Sequence, residues 1–283
     1  MKEVKLAGQM VPAIGIGTWH MGDDPTKEDQ EIQAIRAGLD AGAKVVDTAE
    51  MYGDGNSETL VGQALAPYQR SEIYLISKVL PNNASQAQME AHLDASLQRL
   101  QTDYLDLYLY HWRGNIPLAE TIAELDRLKQ TGKIRAWGVS NFDVPDLEEL
   151  WQLPTGKNVA ANENLYNLET RGIEFNLTDW QAEHELPLIA YSPVGGQHNE
   201  LHTTMLTNPV VQEIAAQHGV SAHEILLAWT VRDGRTIAIP QSSQADHVVA
   251  NVKAADIELT PAELKQLDQE YPSPDHQVPL AVN

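Results

Sequence analysis

Residues 43–53 read AKVVDTAEMYG. The first four, AKVV, have the look of a short buried strand. That strand ends in a carboxylate, Asp47, and the turn behind it carries Tyr52. Seven other runs share this character: AIGIGTW (13–19), EIYLISK (72–78), YLDLYLYH (104–111), IRAWGVS (134–140), VAANEN (159–164), LPLIAYS (186–192) and TIAIPQS (236–242). Amphipathic segments separate them, so the chain alternates strand and helix eight times within 283 residues. The pattern predicts an α/β fold, a (β/α)8 TIM barrel formed as a single domain over residues 1–283. The leading VKLAGQMV (4–11) is expected to form an N-terminal β-hairpin closing the barrel floor.

Helix starts are readable at three places. Ser85 with Gln88 forms a capping-box pattern ahead of Met89, Leu93, Leu97 and Leu100. Thr26 with Asp29 precedes Ile32, Ile35 and Leu39, and Thr260-Pro261 with Glu263 opens the last segment. Residues 194–206 are glycine-rich at their start and read as a loop crossing the rim. His198 and His202 stand four apart within it, but they have no Cys or HExxH partner, and a solvated loop is the simpler reading than a metal site.

Composition excludes several functions. A balance of 19 basic and 40 acidic residues gives a net charge of -21, which repels nucleic acid and anionic lipid. With no cysteine there is neither a disulfide framework nor a thiolate metal site. The start lacks a basic segment followed by an apolar one, and no run of 18 apolar residues occurs. The expectation is a soluble, cytoplasmic, monomeric protein acting on a small molecule, without a metal.

Chemistry in such barrels gathers at the carboxyl ends of the strands. The residues closing the eight runs are Trp19, Asp47, Lys78, His111, Ser140 with Asn141, Glu163, Tyr191 and Gln241. A lysine closing a buried strand is costly to desolvate alone, and Asp47 is a reasonable partner for it. An ammonium near Tyr52 would favour the phenolate and lower a pKa that is otherwise about 10. Tyr52 could then donate a proton to a carbonyl oxygen while His111 orients it. Such a site holds no hydride donor, so a cofactor must supply one. GIGTWHMG places His20 where the last glycine of a G-x-G-x-x-G fingerprint would fall, so a Rossmann site is not indicated.

DTAEMYG (47–53), SKV (77–79), YLYHW (108–112), KIRAWGVSNF (133–142), AYSP (190–193) and IPQS (239–242) together resemble the aldo-keto reductases. The matches run in order from about residue 13 to residue 251. GTWHMG, DTAEMY, DYLDLYLYHW and ELWQLP look most like the bacterial methylglyoxal reductase-type members. The resemblance implies a barrel that binds NADP(H), and NAD(H) as an alternative, in extended form. Asp47, Tyr52, Lys78 and His111 match the family's catalytic tetrad, with Tyr52 as general acid. Ser140 and Asn141 match the carboxamide-binding pair, and Tyr191 the aromatic that stacks on the nicotinamide. Glu163 falls where the family usually has glutamine, which leaves an acceptor and removes an amide donor. Gln241, Ser242, Ser243, His247 and Asn251 match the adenosine-phosphate end of the cofactor site. NADPH-preferring members usually carry lysine and arginine where Gln241 and His247 stand, so the implied preference for NADPH is weak. Trp19 and Trp112 match substrate-pocket aromatics, with ordinary core packing as the competing reading. RGNIP (113–117) and a tail of about a dozen residues after Tyr271 are short for the family's specificity loops. A short rim leaves the pocket open, which is compatible with broad carbonyl selectivity and does not name the substrate.

Two other functions fit the barrel. One is an aldolase-like enzyme using Lys78 as a Schiff-base nucleophile, which pairing with Asp47 opposes. The other is a non-catalytic cofactor-binding regulatory subunit, because such barrels also resemble potassium-channel β subunits.

Overall fold

The computed structural model describes residues 1–195 and 200–282. Strands β1 (Glu3–Leu6) and β2 (Gln9–Pro12) pair antiparallel as the expected hairpin. Ala7 and Gly8 make its turn with φ of 47° and 85°, the left-handed pair that matches the twist of the flanking strands. Nothing crowds Gly8, so its backbone angle, not space, is what calls for glycine there.

Eight parallel strands follow: β3 (Ile16–Gly17), β4 (Val45–Asp47), β5 (Tyr74–Val79), β6 (Leu105–Tyr110), β7 (Ile134–Ser140), β8 (Asn162–Leu165), β9 (Leu188–Tyr191) and β10 (Thr236–Ala238). Each pairs with its sequence neighbour. The sheet closes where Ile14 bridges Ala238, with Gly15 N–H donating to Ala238 O and Ala238 N–H to Ala13 O, each at 2.8 Å. Just above, Gly17 passes so near the chain that a Cβ would lie 2.5 Å from the carbonyl oxygen of Ile239.

Strand residues alternate between two apolar cores, as the period of two requires. Val45, Ile76, Leu107, Leu109 and Ile189 fill the barrel interior together with Val4, Leu6 and Val11 of the hairpin, which therefore forms its floor. Val46, Leu75, Tyr108 and Trp137 pack outward under the helices. With both faces covered, the strands read as continuous apolar runs.

The capping expectations divide. Thr260 and Glu263 form their box at the head of Pro261–Glu270. At 85–88 no box forms: Met89 N–H takes the carbonyl of Ser85, so these residues make a turn before helix Met89–Leu100. At residue 26, the cap is Asp24, whose carboxylate accepts from both the N–H and the hydroxyl of Thr26, and the α-helix begins at Glu28. Two further boxes, Asp143 with Asp146 and Ser221 with Glu224, head helices Val144–Trp151 and Ala222–Thr230.

The loop expected over 194–206 is corrected in its second half. Glu200–Thr207 is a helix, fastened by Met205, which is fully buried in the outer core. His198 lies outside the described residues. Among the described residues no group of three potential metal ligands occurs, and no helix is long and apolar enough to cross a membrane.

Candidate active site

Asp47 and Lys78 reach the barrel mouth from neighbouring strands. Lys78 is fully buried, yet its ammonium is well supplied with acceptors. Nζ donates to Asp47 Oδ1 at 2.5 Å, to Thr48 O at 3.1 Å and to the Tyr52 hydroxyl at 3.1 Å, and it lies 3.4 Å from Glu163 Oε1. Its proton affinity reflects this competition. Burial alone would lower the pKa of Lys78, but Asp47 and Glu163 together push it well above its ordinary value. The lysine stays charged.

Tyr52 opens a tight turn, Tyr52–Gly55, held where it meets Lys78. Its acidity differs from the expectation. Lys78 does favour the phenolate, but burial, with Asp47 and Glu163 adding to it, outweighs that effect and raises the pKa above the usual 10. In the absence of a substrate Tyr52 therefore holds its proton firmly. The Lys78 hydrogen bond is in place to take up charge on the phenol oxygen once that proton leaves.

His111 follows β6 and faces Tyr52 edge-on, with ring centroids 6.0 Å apart. Burial, assisted by the Lys78 charge, drops its pKa to about 2. The ring is neutral near pH 7 and offers one N–H as a donor. Its Nδ1 is buried without a hydrogen-bond partner.

Ser140 closes β7, and Asn141 follows in the left-handed region at φ 58°. Ser140 Oγ donates to Glu163 O at 3.0 Å. Asn141 Nδ2 donates to His111 O and to Ser140 Oγ, each at 3.1 Å. Tyr191, the last residue of β9, donates from its hydroxyl to Asn141 Oδ1 at 2.8 Å. These bonds draw the ends of β6, β7, β8 and β9 into one polar rim beside Tyr52.

Trp19 and Trp112 are 39% and 36% exposed, so neither is ordinary core packing. Trp19 stacks on His20 at 4.4 Å and Trp112 tilts over His111 at 4.6 Å. Gln241, Ser242 and Ser243 leave the end of β10 and lead into helix Ala245–Lys253, which carries His247 and Asn251. Gln244 caps that helix without a side-chain bond, and Asp246 occupies its first turn. Gln30 Nε2 steadies the approach by donating to Ser243 O at 2.9 Å.

Two buried glutamates support the site and were not foreseen. Glu50 accepts from Leu80 N–H, Asn83 Nδ2 and His92 Nδ1 at 2.7, 3.0 and 2.8 Å, tying the loop after Lys78 to the segment that carries Tyr52. Glu58 accepts from Ser77 Oγ and Arg99 Nε, each at 2.6 Å, beneath the neighbour of Lys78. Glu50 lies within DTAEMYG itself, and its type was the available signal. Only its partners, 30 or more residues away, reveal the role.

Residues 13–271 match the Aldo/keto reductase family. The chain is 45% identical to methylglyoxal reductase YeaE of Escherichia coli (strain K12) over 96% of each protein. It is 30% identical to the glyoxal reductase of Bacillus subtilis (strain 168), covering 92% of this chain and 89% of that one. A crystal structure of an aldo/keto reductase from Klebsiella pneumoniae in complex with NADP and acetate superposes with a TM-score of 0.97 at 44% identity, covering 100% of this chain and 99% of that one.

Proposed function

Because the chain belongs to the aldo/keto reductase family, we propose that it is an NADPH-preferring reductase of small aldehydes and ketoaldehydes, methylglyoxal among them. The observation that carries this reading is the chain of contacts from Asp47 through Lys78 to the Tyr52 hydroxyl, at 2.5 and 3.1 Å.

The residues at hand fit the cofactor. Tyr191 presents a half-buried aromatic ring at the mouth beside Ser140, Asn141 and Glu163, whose Oε2 is buried without a partner. This is a setting for a flat ring bearing a carboxamide. At the other end Ser242, Ser243 and the amides opening Ala245–Lys253, uncapped by a side chain, suit a phosphate. When bound, NADPH supplies the hydride to the carbonyl carbon. Tyr52 gives its proton to the carbonyl oxygen, and Lys78 steadies the phenolate left behind. His111, neutral, donates a hydrogen bond to the same oxygen and fixes its direction. Trp19 and Trp112 offer apolar walls for a small substrate.

The Schiff-base alternative needs a neutral amine, and the Asp47 carboxylate on Lys78 opposes that. A purely regulatory role leaves the cluster around Tyr52 without a purpose. The reading takes residues 1–283 as one domain, cytoplasmic and monomeric. A steady-state assay with methylglyoxal, using NADPH and then NADH, tests it. Turnover with NADPH above NADH supports it, whereas no turnover of methylglyoxal or other small aldehydes with either cofactor rejects it.

A further inference from the structure

Lys78 sits between two carboxyl groups in a space closed to solvent. Asp47 and Glu163 are 1% and 2% exposed, and both reach the same buried ammonium. Each spends one oxygen on Lys78, at 2.5 and 3.4 Å. The other oxygens, Asp47 Oδ2 and Glu163 Oε2, are buried without any donor. Two ionised carboxylates facing each other here would leave a net negative charge and two unsatisfied acceptors, and one ammonium cannot offset both. A proton between them removes the repulsion and supplies the missing donor, as in other carboxyl pairs that share a site.

We propose that Glu163 is held un-ionised and donates its proton to Asp47, acting as a positioning residue that sets how strongly Lys78 assists Tyr52. Lys78 is nearer to Asp47 than to Glu163, which decides the partner that keeps the charge. Burial and the adjacent Asp47 accordingly raise the Glu163 pKa far above the carboxylate range. The titratable groups around Glu163 are Asp47 from β4, Tyr52 from the following turn and Lys78 from β5, with His111 at the end of β6 close enough to feel the Lys78 charge. Of these, Lys78 is the cation. His111 is neutral, and the Tyr52 phenol holds its proton at neutral pH.

The consequence for catalysis has a definite sign. With Glu163 un-ionised, Lys78 is engaged by one carboxylate and retains attraction for the developing phenolate. When Glu163 loses its proton at higher pH, a second negative charge enters the cluster, Lys78 is neutralised further and Tyr52 becomes a weaker acid. Reduction slows. A glutamine is the neutral isostere of the un-ionised glutamic acid, so Glu163→Gln should remove the alkaline decline, whatever its effect on the plateau rate.

This inference rests on the reductase reading for its kinetic arm only. For that arm, kcat for methylglyoxal reduction is followed across pH in parent and Glu163→Gln at saturating NADPH. With each profile scaled to its own low-pH plateau, the expected result is an alkaline limb in the parent that is displaced upward by at least one pH unit or lost in the variant. Superimposable pH profiles would overturn the proposal, because a merely structural glutamate would leave them so. The second arm needs no turnover: infrared spectra at neutral pH of protein labelled with 13C at the glutamate carboxyl. An un-ionised carboxyl band that shifts with the label and vanishes in Glu163→Gln supports the proposal, and its absence from the parent overturns it. A parent that shows the band but reduces no carbonyl would reject the reductase reading and leave the protonation of Glu163 standing.

Discussion

Two aspartates, both about 1% exposed, sit near opposite ends of the barrel and are treated differently by their neighbours. Asp106, near the start of β6, has both oxygens satisfied. Arg135 donates to Oδ1 at 2.9 Å, and Oδ2 takes Leu75 N–H at 3.0 Å and Arg70 at 2.8 Å. The two guanidiniums also clasp the ring of Tyr104, at 4.0 and 3.9 Å. Asp47, at the end of β4, has one oxygen on Lys78 and one with no donor. A saturated carboxylate is fixed in one state and contributes to stability. An unsaturated one, beside a second carboxyl and a phenol, sits in a cluster whose protons can redistribute. The contrast follows the division of labour in such barrels, with chemistry at the carboxyl ends of the strands and stability at the other.

Substitutions should separate the two ends. The largest effect is expected for Tyr52→Phe, which keeps the ring and removes the proton. Carbonyl reduction should fall by about 10²–10⁴ while NADPH binding and unfolding midpoint hardly move. Turnover within about threefold of the parent would break the contrast at the mouth. Asp106→Ala should do the reverse. It orphans Leu75 N–H and leaves two arginines unpaired, although both reach solvent, so denaturant unfolding should show a loss of about 3 kcal/mol with kcat of the folded protein nearly unchanged. A large drop in kcat without loss of stability would erase the distinction.

The outer rim gives a smaller effect. Gln241→Lys with His247→Arg should tighten NADPH by about 1–3 kcal/mol per charge-assisted contact and leave NADH nearly unchanged. Asp246 in the same first turn works against a phosphate, consistent with a weak preference in the parent. A parent that binds NADPH more than about a hundredfold better than NADH would contradict this account of the rim.

The smallest effect concerns His111. Its folded value of about 2 lies below the ordinary 6.5, so the unfolded chain takes up a proton that the fold refuses. Its contribution to stability is therefore lost as pH falls below about 6.5. Between pH 7 and 5.5 the parent should lose about 1 kcal/mol more than His111→Gln, measured by urea unfolding. Equal losses would mean that His111 is not buried neutral.

Much of this was legible in the sequence because barrel strands end where the chemistry begins. Asp47, Lys78, His111, Ser140 and Glu163 could be placed on one rim from strand order alone. Residue type also pointed to the Asp47–Lys78 pairing. What sequence spacing does not carry is desolvation: the ammonium beside Tyr52 suggested a lowered phenol pKa, and burial reversed the sign. The roles of Glu50, Glu58 and Asp106 depend on partners supplied by other strands and helices, so no local pattern announced them. Helix starts failed for a related reason. Ser85 and Gln88 have the composition of a box, but the chain there makes a turn whose carbonyl, not its side chain, meets Met89. In residues 200–207 the glycine-rich stretch just before concealed a helix whose anchor is a single buried methionine, Met205.

The central claim is that Asp47 and Lys78 act on Tyr52 as one electrostatic unit. A double-mutant cycle on kcat/KM for methylglyoxal reduction, with Lys78→Met, Asp47→Asn and both together, each confirmed folded, tests it most directly. Lys78→Met alone should be the worse single change, because it leaves Asp47 buried and unpaired, whereas Asp47→Asn keeps the shape and a hydrogen bond. The account predicts a double loss smaller than the sum of the single losses by at least about 1 kcal/mol. Losses that add to within about 0.5 kcal/mol would contradict it.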